Sequence, residues 1–379
     1  MVYLDNAATT WPKPRSVLNA MTDSIDKFGA NPGRSGHSMS IAATEKIFEC
    51  RELISDFFSL GNPSNVVFTQ NATHALNVVI RGILKKGDHA ICTAMDHNSV
   101  LRPIFDGLDN VEVSVIEADG AGEIDADSIQ KSIRPNTRLV VMTHISNVCG
   151  TVMPVEKTAK ICRENNILFL LDASQSAGII DINIQKLGID FLATSGHKGL
   201  YGPMGTGILC INTDELPTPI LLGGTGSNSL ELVQPSELPD RYESGTLNLP
   251  GICGLCSGIA FVKKYTPENI YRHEMKLAAR LLSGLESIDG IKIIGKSGIF
   301  GRSGVVSFVS DRFAPSDIAS QLDKKYSVAI RSMFHCAGLA HDFLHTKNGG
   351  TARISVGIFN TMHDIDYLLY SLNELNRTK

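Results

Sequence analysis

Residues 167–203 read ILFLLDASQSAGIIDINIQKLGIDFLATSGHKGLYGP. Two apolar runs, ILFLL and IDFLAT, flank IQKLG, a short stretch of helical character. Short runs that are apolar at successive positions are strands covered on both faces. A strand, a helix and a second strand of this kind make a parallel crossover unit. Each run ends on polar residues: Asp172 and Gln175 follow the first, and Ser195, His197 and Lys198 follow the second. A lysine at a strand end is usually a solvated surface charge. Framed by hydroxyls and small residues, Lys198 also fits a pocket in which its amine does chemistry, and the rest of the chain decides between the two readings.

The same alternation extends upstream. VVFT, HAICTAM, VEVSVIEA and RLVVMTHIS read as strands, separated by the helical segments ATHALNVVIRGIL, NSVLRPIFDGL, DADSIQKSI and VEKTAKICREN. Before them, SMSIAATEKIFECRELISDFF places Ile47, Cys50, Ile54 and Phe57 at helical spacing. This rhythm predicts an α/β fold with a largely parallel sheet covered on both faces. After about residue 255 the rhythm changes. One long helix is expected over roughly 254–287, then IKIIG, VVSFVS, SVAIRS and ARISVGI as clustered strands with helices at SDIASQLDKKY and HDIDYLLYSLNEL. That pattern predicts a smaller α+β domain. The expected division is a large domain over 15–255 and a small one built from 1–14 plus 256–379. Residues 223–246 are polar and rich in Gly and Pro, an excursion of the kind that is often functional.

The 379 residues carry a formal charge of −4 with 43% hydrophobic and 20% charged residues. That balance favours neither nucleic acid nor an anionic membrane surface as partner. No run approaches a membrane span, and MVYLDNAATT lacks the basic and apolar regions of a signal peptide. Eight scattered cysteines, most of them in apolar runs, predict reduced thiols and a cytoplasmic protein.

In open parallel sheets ligands bind beyond the carboxyl ends of the strands. Five successive strand ends here supply polar or titratable groups: residues 71–73, Asp96 with His97, Ser146 with Asn147, Asp172 with Gln175, and Ser195 with His197 and Lys198. One such end is ordinary, whereas five in register suggest a site. Together they suit an aldehyde cofactor held as a Schiff base. Burial lowers the pKa of a lysine amine, which makes Lys198 a nucleophile. Asp172 is placed to keep a pyridinium nitrogen protonated, as an electron sink requires. Asn71, Ala72 and Thr73 open a helix and offer hydroxyl and amide donors to a phosphate, with Ser195 and His197 adding side chains. His97 is suited to stack on an aromatic ring, and Gln175 to bond a ring hydroxyl.

These segments, with YLDNAATT, NPGRSGH, NATHALN, MDHNSV, THISNVCG, LLDASQSAG, SGHKGLYGP, RYESGTLN, HCAGLAH and ARISVGIFNT in order, resemble the class V aminotransferase group of pyridoxal-phosphate enzymes, and within it the cysteine desulfurase and selenocysteine lyase family. The resemblance implies the pyridoxal-phosphate-dependent transferase fold of the aspartate aminotransferase type. It makes Lys198 the cofactor-binding lysine, Asp172 the partner of the pyridine nitrogen, Gln175 that of the ring hydroxyl, and His97 the stacking residue. Asn147 falls near the ring and the substrate. Thr73, Ser195 and His197 match phosphate ligands, and Thr246 matches a phosphate contact given by a second subunit, which implies a homodimer with shared sites. Arg353 matches the arginine that holds the substrate carboxylate, and Asn31 and Arg34 lie in a loop bordering the same pocket in relatives.

Cys336 separates the branches of the family. Removing sulfur from cysteine needs a thiol nucleophile, and transamination does not. The residue follows His335 in a loop before the last strand, as in desulfurases. The implied reaction converts L-cysteine, or L-selenocysteine in a lyase, to alanine and leaves a Cys336 persulfide for an acceptor protein, as in iron–sulfur cluster assembly. An aminotransferase that ignores Cys336 and a docking scaffold are the rivals, the latter disfavoured by the Lys198, Asp172 and His97 set. Met333 and Gly338 depart from the family, which usually has Gly and often Pro there. Cys253 and Cys256 form a C-x-x-C at helical spacing and are read as packing. His341 and His345 are read as exposed loop residues, and no metal site is expected.

Overall fold

The computed structural model describes residues 1–33 and 36–377. A seven-stranded sheet forms its centre, in the order Val66–Thr69, Gly207–Ile211, Phe191–Ser195, Leu168–Asp172, Thr137–Thr143, His89–Thr93, Glu112–Ile116. All strands but one run in the same direction. Successive side chains of a strand point to opposite faces, and the core divides accordingly. Val140, Met142, Phe169 and Leu171 pack on one face with helices Ser38–Phe57 and Leu249–Tyr265. Leu139, Val141, Leu168 and Leu170 pack on the other with helices Ala72–Ile83 and Asn98–Phe105. Only Glu112–Ile116 is a half-exposed edge.

The exception is Gly207–Ile211, which is antiparallel to both neighbours and was not read as a strand from the sequence. The chain has only residues 196–206 in which to turn, and no helix forms there. A connection without a crossover helix brings the chain back antiparallel. The new strand enters beside the start of helix Ala72–Ile83. A β-carbon on Gly207 would lie 2.5 Å from the Asn71 carbonyl carbon, so only glycine allows this approach.

The C-terminal region holds a four-stranded antiparallel sheet in the order Arg331–Met333, Thr351–Ser355, Val305–Ser310, Ile291–Ile294. Its core draws on helices Pro267–Glu286, Pro315–Tyr326 and Met362–Arg377, and takes in Leu4 from the start of the chain. Val2–Tyr3 pairs in parallel with Val328–Ala329, which brings the N-terminal segment beside this sheet.

Two expectations are corrected. The single helix over 254–287 is two helices, Leu249–Tyr265 and Pro267–Glu286, the first of which runs through residue 255. Pro267 has no N–H to continue the ladder and excludes its predecessor from helical geometry. Thr266 accordingly takes φ 65°, and its hydroxyl caps the second helix at Asn269. His341 is fully buried rather than exposed, with Nδ1 2.7 Å from the Thr346 hydroxyl. Cys253 and Cys256 lie in helix Leu249–Tyr265, where the Cys50 thiol reaches the Ile252 carbonyl at 3.6 Å. Residues 212–248 contain no helix or strand, and Leu230 and Leu232 there are fully exposed.

Substituting Gly207→Ala should push strand Gly207–Ile211 off Asn71 and lower stability by about 1–3 kcal/mol, the usual cost of overpacking. Urea unfolding measures it, and an unchanged midpoint would show that the approach is not tight.

Candidate active site

A cavity of about 320 Å³ lies at the carboxyl ends of the parallel strands. Ala72, Thr73, His97, Asn147, Asp172, Gln175, Ser195, His197, Lys198 and Arg353 all border it. Each arrives at the end of its strand because the strands are co-directional and in register: Thr143 pairs with Asp172, and Asp172 with Ala193.

Lys198 is partly buried in the cavity wall. Burial lowers its amine from the ordinary 10.5 to about 8, and the Asp172 charge works against that shift. Asp172, itself buried, accepts the Ser174 N–H at 2.9 Å and has its backbone carbonyl bonded to His144. Gln175 donates to the Ala7 carbonyl at 2.9 Å, which ties the N-terminal segment to the cavity wall. His97 caps helix Asn98–Phe105, and its Nδ1 accepts the Ser99 N–H at 3.1 Å. Burial lowers His97 to about 4, so it is neutral near pH 7, with the proton on Nε2.

At one end of the cavity the Asn71 side chain caps helix Ala72–Ile83. The Ala72 N–H donates to the Ser195 hydroxyl at 3.4 Å, so the two strand ends are joined there. A helix start with Thr73, Ser195 and His197 around it is an anion cradle. His197 has a buried Nδ1 without a partner, and Ser174 a buried hydroxyl without one. Burial lowers His197 to about 4. The donors present thus fit a phosphate-bearing aldehyde cofactor: a desolvated amine, an acid, a neutral imidazole and a helix start with spare hydrogen-bonding capacity.

Arg353, on strand Thr351–Ser355, is wholly buried. It donates from Nη1 to the Asn147 carbonyl at 2.9 Å and from Nη2 to Asp5 at 2.7 Å, and its Nε has no partner. Asn147 donates in turn to the His335 carbonyl at 2.6 Å, so it joins Arg353 to the cysteine loop.

Cys336 is exposed and borders an adjoining cavity of about 360 Å³, which shares Thr73, His97 and Ser99 with the first. Its carbonyl accepts the Asn98 N–H at 2.8 Å. The loop is wound tightly: Met333, His335 and Cys336 have φ of 81°, 47° and 59°, in the left-handed half of the map that side chains disfavour. Arg331 places Nη2 3.8 Å from the Cys336 sulfur and also borders the main cavity. His335 is buried at the border of the main cavity, with Nε2 2.9 Å from the Thr351 hydroxyl. Burial drives it down to about 2, so it is neutral throughout the working range.

Not every residue singled out from the sequence reaches the cavity. Asn31 is exposed and does not border it, because its carbonyl is held by the Ser40 hydroxyl at 2.7 Å, at the start of helix Ser38–Phe57. Arg34 lies outside the described residues. Thr246 borders a neighbouring cavity, one that shares Asn71 and His197 with the main site. Arg331, Asp5 and Asp96 had no assigned role. Asp96 is buried and accepts the Thr93 and Thr143 N–H groups at 2.7 and 2.6 Å, fixing the strand ends that present His97. Among the described residues no cluster of His, Cys, Asp and Glu is arranged to hold a metal ion, and no helix is long and apolar enough to cross a membrane.

A desolvated lysine, an aspartate on the adjacent strand and an arginine from a second sheet meet at the carboxyl edge of a mostly parallel sheet, the arrangement of an enzyme site. The chain belongs to the Aminotransferase class-V family, whose pattern matches residues 2–368. It is similar to a probable cysteine desulfurase of Methanothermobacter thermautotrophicus, at 36% identity over 99% of this chain and 94% of the relative. One from Pyrococcus abyssi is 35% identical over 99% and 94%. The structure is similar to the apo cysteine desulfurase of Thermococcus onnurineus, with TM-score 0.93, 33% identity and coverage of 100% of this chain and 95% of that one.

Met333 stands where the backbone suits glycine, and Gly350 packs so closely on its carbonyl that a β-carbon there would lie 2.2 Å away. Met333→Gly should therefore raise stability by roughly 0.5–1 kcal/mol, strain relief exceeding the entropy cost of glycine. Chemical denaturation is the measurement, and a lower midpoint would mean that the methionine side chain contributes more than its strained backbone loses.

Proposed function

We propose that this protein is a cysteine desulfurase that uses pyridoxal phosphate to take sulfur from L-cysteine, yielding L-alanine and a Cys336 persulfide. The observation that carries this reading is the exposed Cys336 on a cavity that adjoins, through Thr73, His97 and Ser99, the one bordered by Lys198, Asp172 and Arg353.

The cofactor phosphate would be held by the start of helix Ala72–Ile83 with Thr73, Ser195 and His197. Asp172 would face the ring nitrogen, Gln175 the ring hydroxyl and His97 the ring. When bound, pyridoxal phosphate supplies the electron sink that makes the substrate's Cα–H bond acidic. Arg353, with an unpaired Nε, binds the substrate carboxylate. Lys198, with an amine half-deprotonated at about pH 8, takes the Cα proton. The Cys336 thiolate attacks the substrate sulfur. An S–S bond forms as the C–S bond breaks, the electron pair remains on the substrate, a proton at the β-carbon completes the methyl group, and Lys198 returns a proton to Cα to give alanine. Arg331 places its guanidinium 3.8 Å from the Cys336 sulfur, at the edge of the main cavity. His335, whose Nε2 meets the Thr351 hydroxyl and whose pKa burial pushes down to about 2, is a weak base for that thiol.

The active form in this reading is a homodimer in which Thr246 of each protomer completes the partner's phosphate cradle. Two features support it: Thr246 sits beside the cradle of its own chain without entering it, and Leu222, Leu230, Leu232 and Val233 are left open to solvent. Eight unpaired cysteines suit a reducing compartment such as the cytoplasm, and the persulfide sulfur would pass to an acceptor protein.

Incubation of the cofactor-loaded protein with L-cysteine and a thiol reductant should give equal amounts of alanine and sulfide, and Cys336→Ala should abolish both. Sulfide that persists in the variant, or a keto acid without sulfide, would remove Cys336 from the reaction and favour the aminotransferase reading. A second expectation concerns pH. Because only the neutral amine captures an aldehyde, the rate at which apo protein takes up pyridoxal phosphate should rise through about pH 8 and then level off. A rate still climbing at about pH 10, as for an ordinary lysine, would show that Lys198 is not held in a desolvating pocket.

A further inference from the structure

Strand Val66–Thr69 is the outermost strand of the central sheet on its side, paired only with Gly207–Ile211. Its other edge presents the Val66 carbonyl and the Phe68 N–H, which flank Val67 and point the same way. An unpaired edge of this kind buried in the protein would be costly. The structure meets it with an ion pair. Arg51, from helix Ser38–Phe57, donates to the Val66 carbonyl at 2.5 Å, and Glu243 accepts the Phe68 N–H at 2.6 Å. The two side chains, only 7% and 4% exposed, join in a fork, with Arg51 Nη1 2.9 Å from Glu243 Oε1 and Nη2 bonded to Oε2. The guanidinium also lies over the Phe68 ring, 4.6 Å from its centroid. One donor and one acceptor are thus offered to the edge, as a neighbouring strand would offer them.

The position of this pair is as informative as its bonding. Strand Val66–Thr69 leads directly into Asn71, Ala72 and Thr73, the start of the phosphate cradle. Glu243 stands three residues before Thr246, in a stretch with no helix or strand to give it shape. Two charges removed from water rarely stabilise a fold more than apolar residues of the same size would, so their presence calls for another reason. A fork with fixed geometry supplies one, because it sets distance and orientation together.

We infer that Arg51 and Glu243 are positioning residues for cofactor binding: standing in for an eighth strand, they hold the strand that leads to Thr73 and the loop that carries Thr246 in one fixed relation. The inference rests on the reading that a phosphate occupies the cradle and that Thr246 contacts it across the dimer. Glu243→Gln keeps an acceptor for Phe68 but removes the charge that fixes the fork. Neither residue borders the main cavity, so any effect on binding is transmitted through the strand and the loop.

The test measures the dissociation constant of pyridoxal phosphate by equilibrium dialysis, with inorganic phosphate as a competing probe, for wild type, Glu243→Gln, Thr246→Ala and the double variant as dimers. Glu243→Gln should weaken binding of both ligands by about tenfold, the effect of one well-placed charged contact. In the Thr246→Ala background the same change should weaken binding by well under half of that in logarithmic terms. Full additivity, or unchanged binding in Glu243→Gln, would overturn the inference. Failure of the wild type to bind pyridoxal phosphate would instead overturn the functional reading on which it rests. Should Glu243→Gln not fold, as judged by the urea midpoint of the apo protein, Arg51→Lys keeps the charge, loses the fork and carries the same expectation.

Discussion

A lysine whose amine is desolvated by the protein around it is the constraint around which this protein is arranged. Burying an ammonium is expensive, and the chain meets the cost by letting Lys198 give up its proton near pH 8. Complete surrender would be as unhelpful as none, because the amine has to carry a proton as well as release one. Asp172, on the neighbouring strand, limits the shift. The balance between desolvation and that single negative charge depends on the strand register, so the sheet itself sets the reactivity of the amine. Strands buried on both faces make such a register hard to slip, since a shift of one residue would exchange the two cores.

The cavity lies between two structural systems with different tolerances. The parallel sheet supplies Thr73, His97, Asp172, Ser195 and Lys198 from strand ends that are linked by hydrogen bonds, including those of the buried Asp96. The antiparallel sheet supplies Arg353, and the loop beside it supplies Cys336. Asn147 is the bridge: its carbonyl takes Arg353 and its amide holds the His335 carbonyl. The lysine and aspartate are thus placed by the parallel sheet, while the arginine and the cysteine loop are tied to it through a few named hydrogen bonds.

What the sequence disclosed follows from which interactions are local. The parallel strands were legible because double burial leaves an unbroken apolar run, and the strand ends because a parallel sheet gathers its chemistry there. Strand Gly207–Ile211 was missed because its direction is dictated by the short turn before it. The break at Thr266 was missed because apolar spacing continues across it, and the signal that could have found it was Pro267. The burial of His341 and the partnership of Asp5 with Arg353 depend on contacts between residues far apart in the chain, which no local pattern carries. Arg331 lies five residues before Cys336, and only the wound loop between them brings guanidinium and sulfur together. Asn31 stands apart from the main cavity, its backbone carbonyl held by Ser40 at the helix start.

The tight winding of residues 333–336 also decides which face of the loop is presented. Helix Asn98–Phe105 holds the carbonyl of Cys336, and Asn147 holds that of His335, so two successive carbonyls of the loop are turned inward. With the backbone polar groups occupied in this way, the thiol is what the loop leaves at the surface, beside the Arg331 guanidinium.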